Sequence, residues 1–181
     1  TIGQTKAKND IENAAAVVIE NPISYPAGTY LFFAGDRRST NGVAQIGFWL
    51  YLNGSSPVEE NGVKFFKPVH AIGDILVISD FSQGGNLAIV TVYKWVGPGL
   101  GDAGNNLSLK LIALNSNVAI NNKDVWPIPT GWSYGNPTYA KNAFYEGFID
   151  ISTVLLDENG ILRDFCSASW LLETRSSKEI T

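Results

Sequence analysis

FFAGDRRSTNGVAQIGFWLYLNG, residues 32–54, joins two strongly β-forming runs through a tight polar link, GDRRSTNG. Aromatic and β-branched residues fit a pleated, half-buried surface, so both runs read as strands. Strands 29–35 and 43–52 therefore form the predicted opening hairpin of an all-β sandwich. Asp36, Arg37 and Arg38 stand at the mouth of its link, against aromatic-rich strands.

The same pattern recurs on both sides of this hairpin. NDIENAAAVVIE, residues 9–20, is ambiguous: Asn9 or Asp10 can cap a short helix, whereas AAAVVIE also fits a strand. A short turn followed by a strand at 14–20 is the preferred reading, after a loose polar arm at 1–8. Further strands are predicted at 63–69, 73–81, 86–96, 107–115, 143–152 and 165–174, with turn-forming residues between them. Strand 73–81 is apolar on both faces, which places it centrally. Residues 116–142 carry prolines and aromatics with few strand signals. The expectation is a single domain, 1–181, of about nine to eleven strands in two stacked antiparallel sheets. It is jelly-roll or concanavalin-like, with at most one short helix, near the N-terminus.

Composition narrows the partners. Charged residues make up only 17% and the net charge is −4, so the polar surface must lean on Asn, Ser, Thr, Gly and Gln. That composition is common in secreted β-proteins and points to an extracellular or cell-surface location. With no basic stripe, nucleic acid and anionic membrane surfaces are excluded as partners. No apolar run approaches the ~18 residues of a membrane helix. Cys166, the lone cysteine, lies in the apolar run FCSASWLL and reads as a buried, inert thiol.

Catalytic patterns are weak. A retaining glycosidase needs two carboxyls about 5–5.5 Å apart. Glu146 and Asp150 share a strand face but lie roughly 13 Å apart along it. Glu173 reaches Glu146 only if the two C-terminal strands are neighbours in register. His70, the one histidine, has no nucleophile elbow beside it and reads as an ordinary loop or strand-end residue. No catalytic residue and no cofactor is expected. Structural zinc is excluded for want of a Cys/His cluster; calcium at a loop edge remains open, with Asp10, Asp36 and Asp80 as candidate ligands.

Two clusters remain. At its strand end Asp36 can accept backbone N–H groups of the following turn, and Arg37 can pair with a carboxylate of another strand, such as Glu146 or Glu173. The preferred reading is a structural polar network of Asp36, Arg37, Glu146, Glu173 and Arg175 that fixes strand order. The functional reading of Asp36 and Arg37 is a pair that holds a sugar or carboxylate. The loop VWPIPTGWSYGNPTY, residues 125–139, offers Trp126, Trp132, Tyr134 and Tyr139 as stacking platforms for sugar rings, or alternatively as a cover for a sheet edge. Asn53 and Asn106 head two glycosylation sequons in predicted turns.

The segments NDIENAAA, FFAGDRRSTNGVAQIGFWLY, GDILVISDFSQGGNLAIVTVYKWV, AFYEGFIDIS and FCSASWLLETRSSKEIT, in this order and spacing, resemble an uncharacterised domain of large secreted bacterial surface proteins. The resemblance covers residues 8–181 and implies a concanavalin-like sandwich beside adhesion-type or repeat domains, with no attached activity. Members usually continue for one more apolar strand beyond the part matching SSKEIT, which would leave an edge here open to another subunit. The leading expectation is a non-catalytic surface module for adhesion or glycan binding. Its partners are copies of itself, other surface proteins or glycans. A filament subunit assembled by strand addition comes second and a polysaccharide-active enzyme third.

Overall fold

The computed structural model describes residues 10–40, 44–66, 70–82, 86–103, 108–114 and 119–175. The chain runs through β1 (Ala14–Glu20), β2 (Thr29–Asp36), β3 (Ala44–Tyr51), β4 (Pro57–Glu60), β5 (Val63–Phe66), β6 (Ile75–Ser82) and β7 (Asn86–Trp95). It continues through β8 (Leu109–Leu114), β9 (Ala119–Asn121), β10 (Trp126–Pro127), β11 (Thr138–Tyr139), β12 (Phe144–Asp150), helix α1 (Ile151–Val154) and β13 (Ser169–Arg175). A four-stranded antiparallel sheet, β1-β2-β12-β9, packs on a five-stranded antiparallel sheet, β13-β3-β6-β7-β8. The β4–β5 and β10–β11 pairs stand as small two-stranded additions. The all-β sandwich is as expected, with the short helix at Ile151–Val154 rather than near the N-terminus. The predicted arm at 1–8 and the chain end at 176–181 lie outside the described residues.

Strand alternation builds one core between the sheets. Leu31, Phe33, Tyr145 and Ile149 from the first sheet meet Ile46, Phe48, Val77 and Val92 from the second. Phe33 stacks on Phe48 with centroids 4.8 Å apart, and Phe48 on Trp170 at 6.0 Å. Gly35 marks a close approach: a Cβ there would lie 2.6 Å from Leu172 Cδ2 and 3.0 Å from the Tyr145 ring.

The opening hairpin is corrected by this arrangement. β2 and β3 belong to different sheets, so they do not pair with each other. The inward-facing residues of the two strands oppose each other across the core instead of sharing one face, as the Phe33–Phe48 stack shows. The strands predicted at 73–81 and 86–96, with turn-forming residues between them, pair as β6–β7, and β7 also pairs with β8. A hairpin not read from the sequence, β4–β5, turns at Asn61 and Gly62, both at positive φ (54° and 75°). Asn-Gly between short extended runs is a strong signal for that turn.

The predicted strand at 143–152 stops at Asp150. Its carboxylate accepts from Ser152 N at 3.0 Å and caps α1. An Asp that satisfies the first helical N–H groups ends extended pairing.

Candidate functional site

Asp36 is wholly buried. Its Oδ1 accepts from the backbone N–H groups of Glu12 and Asn13, both at 2.9 Å. Its Oδ2 accepts from Asn13 Nδ2 at 2.5 Å and Tyr139 Oη at 2.7 Å. Backbone bonds extend the clasp: Asp36 N donates to Asn13 O, Arg37 N to Ala143 O and Arg38 N to Asp10 O. Four donors leave this carboxylate little capacity for a ligand.

Arg37 turns the other way, into the interior, and is also wholly buried. Its Nη2 donates to Asn142 O at 3.0 Å, and its guanidinium lies 4.7 Å from the centre of the Phe81 ring. Its Nη1 has no hydrogen-bond partner among the described residues. Burial pushes the guanidinium pKa down, while the Tyr134 and Tyr145 phenols act the other way. The predicted pairing of Arg37 with Glu146 or Glu173 is therefore corrected. The link carries Arg37 between the sheets, whereas both glutamates point out of the sandwich.

The aromatic loop at 125–139 and the Asp36–Arg37 cluster, read separately from the sequence, meet in one structure. Tyr134 Oη donates to Arg37 O at 2.5 Å, and Asn13 Nδ2 reaches Ser133 O at 2.6 Å. Tyr139 packs between Tyr134 and Phe144 and is wholly buried. Burial pushes the Tyr134 and Tyr139 phenols up, and Asp36 adds to both shifts. Trp132 is half-buried against Phe144, while Trp126 remains 56% exposed. Of the four proposed stacking platforms, only Trp126 stands open. The loop folds back as a cover, because buried phenols need acceptors and this cluster supplies them.

Glu173 and Arg175 form a 2.7 Å ion pair on the outer face of the five-stranded sheet, with Trp49 Nε1 donating to Glu173 at 3.3 Å. Glu146 stands on the outer face of the other sheet, so the two glutamates do not meet. Asp10 pairs with Arg38 at 3.3 Å, Asp36 is saturated, and Asp80 is buried on β6. Among the described residues no three His, Cys, Asp or Glu side chains gather to hold a metal ion. Asn53 lies exposed in the turn after β3, and Asn106 falls outside the described residues.

His70 proves less ordinary than its sequence context. Its ring stacks on Trp95 at 4.0 Å and touches Trp49 and Tyr51. Its Nδ1 lies 3.1 Å from Asp74 Oδ2, and the buried Asp74 carboxylate also accepts from Leu52 N and Ala71 N. The imidazole thereby pins its loop onto the second, smaller apolar cluster on the outer face of the five-stranded sheet.

Cys166 is exposed, not buried. It lies in the turn before β13, where Asp164 Oδ1 accepts from its backbone N–H. The Asp164 carboxylate pushes the thiol pKa up. A raised pKa means less thiolate at a given pH, and the thiolate is the nucleophile. At pH 8 the native protein is expected to react with a disulfide reagent to completion, but more slowly than its unfolded form. Asp164→Asn is expected to speed the native reaction several-fold; an unchanged rate would remove Asp164 as the cause.

A concave site lies open on the outer face of the four-stranded sheet. With Phe33, Tyr145 and Ile149 turned into the core, their neighbours Phe32, Glu146 and Phe148 point out. Registers place Ala15, Ala34, Glu146 and Ile120 in one row across the sheet, and Val17, Phe32 and Phe148 in the next. Tyr25 lies edge-on to Phe148 at 4.9 Å and raises that second row. A low row beside a tall aromatic row leaves a trough of about 370 Å³. Its rims are open, with Val17 53% and Ile120 59% exposed. The sequence hid it, because outward aromatics on a strand read as core. Comparison with protein-family models, curated proteins and solved structures finds no match to this chain.

Proposed function

We propose that this chain is a non-catalytic binding module of an extracellular surface protein. Its adhesive face is the outer side of the four-stranded sheet, not the aromatic loop. The carrying observation is the transverse trough, lined mainly by apolar and aromatic side chains, with Val17, Tyr25 and Ile120 exposed. Open apolar concavities with few polar groups are where binding concentrates. The sparse charge and the resemblance to secreted bacterial surface domains support the extracellular setting.

Protein adhesion is favoured over glycan binding. The trough offers little besides Glu146 and the Tyr25 hydroxyl to meet the many hydroxyls of a sugar. Panning a displayed peptide library tests this reading. Binders should be recovered, and Ala34→Trp, which fills the low row, should lose them while melting within about 3 °C of wild type. A library without binders, or binders indifferent to Ala34→Trp, contradicts it.

A filament subunit joined by strand addition is the second reading. It draws on the edge strand β1, where Val17, Val18 and Ile19 are 53%, 40% and 40% exposed. Ordered fibres in electron micrographs of the native protein would favour it, and discrete monomers would exclude it. The polysaccharide-active alternative lacks comparable support, since Glu146 and Glu173 lie on opposite outer faces.

A further inference from the structure

From the charge of the face that carries the trough, we infer that its occupant is a peptide segment of a partner protein in which apolar residues alternate with lysine or arginine. The inference rests on the proposed adhesive role of that face and specifies its ligand.

The four strands β1, β2, β12 and β9 contain no lysine or arginine, but they carry Glu20, Asp36, Glu146 and Asp150. Asp36 is consumed by the clasp beneath the aromatic loop, and Asp150 caps α1. Glu146 is different. It is exposed, lies in the low row between Ala34 and Ile120, and has no hydrogen-bond or ion-pair partner among the described residues.

A carboxylate flanked by apolar walls is screened less than one in open water, so a cation seated against it gains more than at an ordinary surface. The aromatic row beside it, Phe32 and Phe148, offers ring faces and edges that accept the aliphatic stem or the guanidinium of a long basic side chain. The trough runs across the strands and is open at both rims, so it admits an extended chain passing through. An acidic or neutral polar segment would leave Glu146 repelled or unpaired.

The cross-strand register supplies a test that spares the core. Ile120 lies directly opposite Glu146 and is exposed. Ile120→Lys therefore places an ammonium beside the carboxylate from within the chain. The probe is a synthetic nonapeptide alternating leucine and lysine, compared with its leucine–glutamate counterpart, titrated calorimetrically in 50 mM salt.

The leucine–lysine peptide is expected to bind at least tenfold more tightly than the glutamate peptide. Glu146→Gln and Ile120→Lys should each weaken it about tenfold, and Glu158→Gln, on a distant turn, should leave it within twofold. Raising the salt to 500 mM should weaken it several-fold. Equal affinity for both peptides, or indifference to Glu146→Gln, overturns the basic-segment assignment. If Ala34→Trp still abolishes peptide binding in that case, the adhesive trough stands without its cation preference. If Ala34→Trp is also indifferent, both readings fall. A glycan-array hit lost in Ala34→Trp, with neither peptide bound, would replace the peptide by a sugar.

Discussion

Asp36→Ala should lower stability by about 3–5 kcal/mol, because it strips the acceptor from a buried network and leaves four donors unmet. For a domain of this size each kcal/mol moves the melting temperature roughly 2–4 °C, so a fall of about 6–20 °C is anticipated by calorimetry. Asp36 ties the segment before β1, through Glu12 and Asn13, to β11, through Tyr139. Losing the carboxylate should also loosen residues 132–135, whose anchors are Asn13, Glu12 and Arg37. Tyr139→Phe, which deletes one of the four donors, should cost about 1–2 kcal/mol. A ligand-binding aspartate behaves differently, since its removal usually spares or raises stability. An Asp36→Ala protein melting within about 2 °C of wild type would contradict the structural assignment.

Phe48→Ala is the second large effect, anticipated at about 3–5 kcal/mol from lost burial and the cavity left behind. Phe48 is 1% exposed and forms the middle of a three-ring stack, Phe33–Phe48–Trp170. That stack bridges the two sheets, so the cavity would open where β2 faces β3 across the core. Were β2 and β3 a hairpin, their rings would be neighbours on one sheet face, and losing one would leave the contact between layers largely intact. Ile120→Ala, on the exposed rim, should change stability by no more than about 0.5 kcal/mol. Comparable midpoints for the two variants in chemical denaturation would refute the placement of Phe48.

The strand content was legible because alternation and β-branched or aromatic runs follow directly from burial on one face. β1, β6 and β7 lie within two residues of their predicted bounds. What connects to what was less legible. Strands 29–35 and 43–52 have the same alternating pattern whether they pair side by side or oppose each other across a core. Only long-range contacts, such as Asp36 with Asn13 and Arg37 N with Ala143 O, decide between them.

The short strands at 119–121, 126–127 and 138–139 were missed because two- and three-residue segments carry no periodicity. The β4–β5 hairpin was missed although Asn61-Gly62 announced it.

The candidate site divides the same way. The chemistry of Asp36 and Arg37 could be seen as a polar network from the sequence, but not its partners. Those partners come from Glu12 and Asn13 before β1 and from Tyr139 and Asn142, about a hundred positions further on. The aromatic loop could be read either as exposed platforms or as a cover, because tryptophan and tyrosine suit both. The trough could not be read at all, because it depends on a register that sets Ala15 beside Ala34 and Glu146. No pattern along a single strand encodes a row that runs across four of them.

A chemical-shift map of the isotope-labelled protein, titrated with the leucine–lysine nonapeptide, compares the trough with every other surface at once. Shifts concentrated at Ala15, Val17, Ala34, Ile120 and Phe148, with residues 125–139 and the surroundings of His70 unmoved, are what this structure predicts. Shifts centred on Trp126 and Trp132, or on Trp95 and His70, would contradict it and return the binding face to the loop or to the opposite sheet.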